Sequence, residues 1–169
     1  MSRRILSCIV LMLAGAPAPA QFVGRFSLPK HNYRAADRTD PVIVTFTLTN
    51  VSGNPLRIVA DEKQPGCTGY GIEVTPLTWR RTTKPGGIVG SCPGPPTVVL
   101  LPGASRVEIV NATFLDYDNI LDRPGRYRLR VNRVVFYSTP DKISSFPMAS
   151  TPHQRFTRYF IVTMTAGKP

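Results

Sequence analysis

A chain of 169 residues with a formal net charge of +11, 42% hydrophobic residues and three cysteines has the length of one ordinary domain. Charged residues are 18%, below the usual quarter, while 17 prolines and 13 glycines break the chain with turns. That composition excludes a coiled coil, a helical bundle and a low-hydrophobicity disordered protein, and it leaves little room for an elaborate active site.

Residues 1–20 read as an export leader. Arg3 and Arg4 precede an apolar run over 5–14, which closes on Ala18-Pro-Ala20, the small-residue pattern of a signal-peptidase cut. About ten apolar residues are too few for a bilayer core that needs about twenty, so cleavage after Ala20 is expected rather than anchoring. Ile5-Leu6-Ser7-Cys8 resembles a lipoprotein box but lies too close to Met1 to follow an apolar stretch. No later segment is apolar for long enough to span. The expected product, 21–169, is secreted or periplasmic, with no membrane span.

Removing the leader removes Cys8 and leaves Cys67 and Cys92, each in a loop-like stretch rich in glycine and proline. In an oxidising compartment the economical reading is one disulfide between them. It would close a loop of about 25 residues and contribute roughly 3 kcal/mol on the chain-entropy model. Two thiols without nearby histidines cannot complete a tetrahedral zinc shell.

The rest has the periodicity of strands. Residues 22–28 are a short first candidate, and 42–49 alternate Val42, Val44, Phe46 and Leu48 with threonines. A turn over 50–55 leads to a return strand at 56–59, and 72–77 reads as another. Residues 78–97 read as loop, rich in glycine and proline and holding Cys92. Residues 98–101 then lead into a Pro102-Gly103 turn, where proline presets the negative φ and glycine takes the positive one. Strands are expected over 105–113, with Val107 and Ile109 at alternating positions, then over 126–136 and 155–165. Seven or eight short strands with no helix after the leader predict an all-β, Ig-like antiparallel β-sandwich, one domain over 21–169.

Three stretches together resemble a secreted bacterial immunoglobulin-like domain: Val44-Thr-Phe-Thr-Leu-Thr-Asn-Val-Ser-Gly-Asn-Pro-Leu56, Val99-Leu-Leu-Pro-Gly-Ala-Ser105, and Tyr117-Asp-Asn-Ile-Leu-Asp-Arg-Pro-Gly-Arg-Tyr-Arg-Leu-Arg-Val131. The pattern is similar to the non-catalytic β-domain of deuterolysin-type metallopeptidases and to the Ig-like proteinase inhibitors of bacteria, over residues 40–135. Gly125 ahead of Tyr127 resembles the tyrosine corner of Ig domains, which implies an inward ring whose hydroxyl bonds the preceding turn. Leu129 stands where antibody domains carry a cysteine, and Trp79 has no flanking cysteine pair in the antibody order. The zinc peptidase signature His-Glu-x-x-His is absent, so the resemblance implies an accessory domain without its catalytic partner.

Catalytic patterns are sparse. The two histidines, His31 and His153, fall in predicted loops, and no Gly-x-Ser-x-Gly elbow is present. Asp116, Asp118, Asn119 and Asp122 form one acidic cluster. It lacks the glycine and glutamate of an EF-hand and suits a turn into Pro124-Gly125. No enzyme, cofactor or metal is therefore expected. Asn50-Val-Ser52 and Asn111-Ala-Thr113 match the glycosylation acceptor pattern.

Charge is the stronger signal. Residues 21–169 keep 19 Lys and Arg against 10 acids, and 14 of the cations are arginines. Arg126, Arg128 and Arg130 alternate with Tyr127, Leu129 and Val131, which places three guanidiniums on one strand face, with Arg123 and Arg133 at its ends. Such a stripe attracts polyanions, an acidic glycan or lipopolysaccharide, with salt-sensitive affinity. Few aromatics occupy outward positions along it, so no specific nucleic acid is expected. The functional expectation is an exported, monomeric, non-enzymatic binding or structural module that takes a protein partner through loops 61–71, 78–97 and 137–154. A proteinase inhibitor acting on a protease, and a polyanion binder using the arginine strand, are the alternatives.

Overall fold

A computed structural model of the chain describes residues 20–59, 69–78, 97–116, 118–141 and 152–166. The leader, Cys8, Cys67, Cys92 and Trp79 lie outside them, as do most of loops 61–71 and 78–97 and residues 142–151. Among the described residues nine strands form two sheets, in chain order β1 (Phe22–Ser27), β2 (Asn32–Arg34), β3 (Ile43–Asn50), β4 (Leu56–Val59), β5 (Tyr70–Pro76), β6 (Thr97–Leu100), β7 (Ser105–Asn111), β8 (Gly125–Ser138) and β9 (His153–Thr165). One sheet has the order β1-β3-β7 and the other β2-β9-β8-β4-β6. β8 is long enough to take β9 along one side and, on its other side, first β5 over Tyr127 to Arg133 and then β4 at Tyr137 and Ser138.

The all-β sandwich expected from the sequence is the architecture found. All eight predicted strands are present. β2 is the addition, a three-residue strand that pairs parallel with β9, so the second sheet is mixed. Three residues are too short a run to show a period, and only its one inward side chain, Tyr33, marks it.

Alternation explains the layers. In β3 Val44, Phe46, Leu48 and Asn50 are buried while the intervening threonines face outward. In β8 Tyr127, Leu129, Val131, Arg133 and Val135 point into the core. Between the sheets Phe46 meets Phe26, Tyr70 and Phe156 at centroid distances of 4.5, 6.2 and 5.5 Å. Gly24 makes room for this cluster, because a Cβ there would lie 2.5 Å from the Phe156 ring. Burial of such side chains, at about 1.5–3 kcal/mol each, is the main stabilising term.

Turn chemistry follows expectation at two places. Gly103 takes φ +76° in the Pro102-Gly103 turn. The Tyr127 hydroxyl donates to the Arg123 carbonyl at 2.8 Å, and a Cβ on Gly125 would meet that hydroxyl at 3.1 Å, so the tyrosine corner is formed. The first acceptor motif has a structural use. Asn50 is buried; its amide nitrogen donates to the Leu100 and Asn54 carbonyls, and its Oδ1 accepts from the Ser52 N–H and hydroxyl. It ties the turn after β3 to the one after β6.

Candidate functional site

The sheet pairing turns a stripe into a face. On β8, Arg126 and Arg128 are exposed and Arg130 half-exposed, all on the side away from the core. β9 lies antiparallel beside it and presents Thr163 opposite Arg126, Ile161 opposite Arg128, Tyr159 opposite Arg130 and Thr157 opposite Asn132. Arg155 follows opposite Val134, and β2 adds Asn32 beside Thr163 and Arg34 beside Thr165. Residues two apart on a strand are about 6.7 Å apart, so the guanidinium roots are spaced at about that interval along β8.

Electrostatics separates these arginines. Arg130 donates to Glu73 on β5 at 3.2 Å and lies 6.0 Å from the Tyr159 ring centroid. Arg34 lies 3.8 Å from Asp37. Among the described residues no carboxylate is within ion-pair distance of Arg126, Arg128 or Arg155. Exposed cations without a local counter-charge keep their full field for an anionic ligand.

Two of the five arginines expected on the stripe are elsewhere. Arg123 precedes β8 in the turn whose carbonyl holds Tyr127. Arg133 is a correction: it is three residues after Arg130, so strand alternation sends it to the opposite face, where it is fully buried. There its Nε and Nη2 donate to the two Glu108 carboxylate oxygens at 3.0 and 3.2 Å, Nη1 donates to the Val134 carbonyl at 2.8 Å and Nη2 to that of Val59 at 3.2 Å. The Tyr70 ring lies 4.7 Å from the guanidinium carbon, and its hydroxyl donates to Glu108. Burial first, then the Glu108 charge, raises the Tyr70 pKa far above the ordinary phenol value, so it stays a donor. Glu108 stands on β7 and Arg133 and Tyr70 on the opposite sheet, so the cluster locks the two layers together.

The expectation of few outward aromatics also changes. It holds along β8, but Tyr159 and Ile161 enter the face from β9, 54% and 39% exposed. Arg155, Tyr159 and Ile161 were not singled out in the sequence. Their alternation in 155–163 is visible there, but adjacency to the arginines depends on the β8–β9 register.

The remaining chemical candidates carry structure. The His31 imidazole Nδ1 donates to the Ile161 carbonyl at 2.9 Å, and His153 opens β9 with its ring 5.7 Å from Phe136. Asp116 accepts the Leu121 N–H at 2.6 Å and so folds the 3-10 turn Ile120–Asp122, the turn role expected for that cluster. Its burial raises the carboxyl pKa. A shallow depression of about 480 Å³ beside β2 is lined by Lys30, Tyr33, Asp37 and Asp40 among others. Asp37 is engaged by Thr39 and Asp40 by Lys30 and Arg34, and these hydrogen bonds lower both carboxyl pKa values. Among the described residues no helix is long and apolar enough to cross a membrane.

No family model matches the chain, and no curated protein does. Among solved structures it is similar to a β-glucosidase from Listeria innocua, at 16% identity and a TM-score of 0.42, covering 86% of this chain. The chain spans 16% of that enzyme's length. A structural genomics consortium target is similar at 10% identity and a TM-score of 0.33, with 85% of each chain covered. At these values neither likeness bears on activity.

Proposed function

We propose that the protein is an exported, non-enzymatic binding module whose β8–β9 face takes an anionic glycan, the sulfate, phosphate or carboxylate groups of the sugar chain meeting Arg126, Arg128 and Arg155. The observation that carries this reading is the set of three exposed guanidiniums with no carboxylate at ion-pair distance among the described residues, next to Tyr159 and Ile161. Guanidinium forks suit planar and tetrahedral oxyanions, and an exposed tyrosine ring gives a sugar an apolar surface to lie on. A rigid sheet holds these groups at fixed spacing without ordering cost at binding. Export rests on the leader read in residues 1–20, and the Ig-like resemblance fits a module that binds rather than reacts.

Retention on immobilised heparin and on immobilised lipopolysaccharide tests the reading and separates a sulfated from a phosphorylated ligand. Arg126→Glu/Arg128→Glu should abolish retention. Arg25→Glu/Arg38→Glu changes net charge equally at exposed positions off the face and should only lower the eluting salt slightly. Equal losses in the two double variants would reduce the effect to net charge and overturn the proposal.

A further inference from the structure

The expected leader ends where the core begins. A cut after Ala18-Pro-Ala20 makes Gln21 the first residue of the exported chain, and β1 opens at the next position. Phe22 is 1% exposed, its ring edge-on to Tyr137 at 5.4 Å, in the same apolar group as Phe46, Leu48 and Ile58. Its backbone is held as well. The Phe22 N–H donates to Gln154 Oε1 at 3.1 Å, and the Gln154 amide nitrogen donates back to the Phe22 carbonyl at 2.9 Å. The Gln21 carbonyl accepts the Val51 N–H at 3.0 Å, while Ala20, across the expected cut, is exposed. These bonds start at the Gln21 carbonyl, so chemistry between its α-nitrogen and its side-chain amide leaves them in place.

We propose that Gln21 is a modification site, and that the exported chain begins with the pyroglutamate formed from it; the inference rests on the leader read in residues 1–20 and not on the anion-binding face. An amino-terminal glutamine holds nucleophile and electrophile in one residue, which makes the step intramolecular. The α-nitrogen attacks its own side-chain carbonyl, an N–Cδ bond forms, the Cδ–Nε2 bond breaks, and ammonia leaves with the proton that the amine gives up. Nothing is oxidised or reduced, and the product is a neutral γ-lactam. α-Amines titrate close to neutral pH, so the uncharged, nucleophilic form is present without a catalyst. Position gives the modification a use. An aminopeptidase that removed residue 21 would turn the Phe22 N–H, now bonded to Gln154, into an ammonium, and its next cut would take a core ring. The lactam offers such an enzyme no α-ammonium, so it closes the chain directly ahead of the core.

The test is the mass of the amino-terminal peptide of protein exported from the full-length chain, taken before and after incubation at neutral pH. After incubation the peptide should start at residue 21 and weigh one ammonia less than its sequence. The chain should resist stepwise amino-terminal degradation, and after pyroglutamyl aminopeptidase acts on the denatured protein it should become readable from Phe22. Gln21→Ser should show an unblocked serine at the same cut and lose it to a general aminopeptidase that leaves the wild type whole. An open-chain Gln21 that persists through the incubation would overturn the cyclisation and leave the leader reading standing. A chain that starts at any other residue, or that keeps residues 1–20, would overturn both.

Discussion

Replacing Glu108 with leucine tests the cluster that joins the sheets. The substitution takes both carboxylate oxygens away from the fully buried Arg133 guanidinium, and it removes the acceptor of the Tyr70 hydroxyl. Breaking a buried ion pair from one side costs about 3–5 kcal/mol, because the remaining charge stays buried without its partner. For a domain of this size each kcal/mol lowers Tm by about 2–4 °C, so the variant should melt roughly 6–20 °C lower. Removing all three polar groups as Glu108→Leu/Arg133→Met/Tyr70→Phe should recover most of that loss. Loss of the Arg133 donors to the Val59 and Val134 carbonyls keeps it about 1–3 kcal/mol below wild type. Thermal and urea unfolding of the single and triple variants measure both numbers. A triple variant no more stable than the single one would refute the reasoning, since the cost would then lie in lost packing and not in an uncompensated charge.

Three further outcomes follow from single contacts. Tyr127→Phe removes the bond to the Arg123 carbonyl and should cost about 1 kcal/mol in urea unfolding, with no change in m-value. Asn50→Ala abandons four hydrogen bonds around two turns and should cost several times more, about 3 kcal/mol, measured the same way. Asp116 has a raised carboxyl pKa in the folded state, so its contribution to stability is full below the ordinary carboxyl value and declines as pH rises through the folded one. Asp116→Asn keeps an acceptor for Leu121 and removes that titration, so unfolding across a pH series should show the variant gaining on the wild type as pH rises. A constant difference between them would remove burial of Asp116 as the cause.

The sequence and the structure agree wherever one strand carries its own information. β3 alternates large apolar residues with threonine, and every one of its inward positions is buried. The tyrosine corner needed only Gly125 and Tyr127, four residues from the carbonyl that accepts its bond. The candidate face was half legible: Arg126, Arg128 and Arg130 share a parity visible by counting. The same count moves Arg133 inward, although a lone arginine in a core is rare enough to make the surface the natural guess. What could not be read was pairing. Glu108 becomes buried only because Arg133 reaches it from the other sheet, and that contact also turns Val107 and Ile109 outward against their hydrophobicity. Tyr159 joins Arg130 only through the β8–β9 register. Such information lies between strands far apart in the chain.

The most direct test of the proposed anion-binding role of the β8–β9 face is backbone amide chemical-shift mapping during titration with a sulfated oligosaccharide, at two salt concentrations. The account predicts perturbations on β8 and β9, centred on Arg126, Arg128, Arg155, Tyr159 and Ile161. They should shrink at the higher salt, with a salt dependence that falls by about one ion when Arg128 becomes glutamate. Perturbations confined to residues 61–71, 78–97 or 137–154 would contradict it and move recognition to the loops.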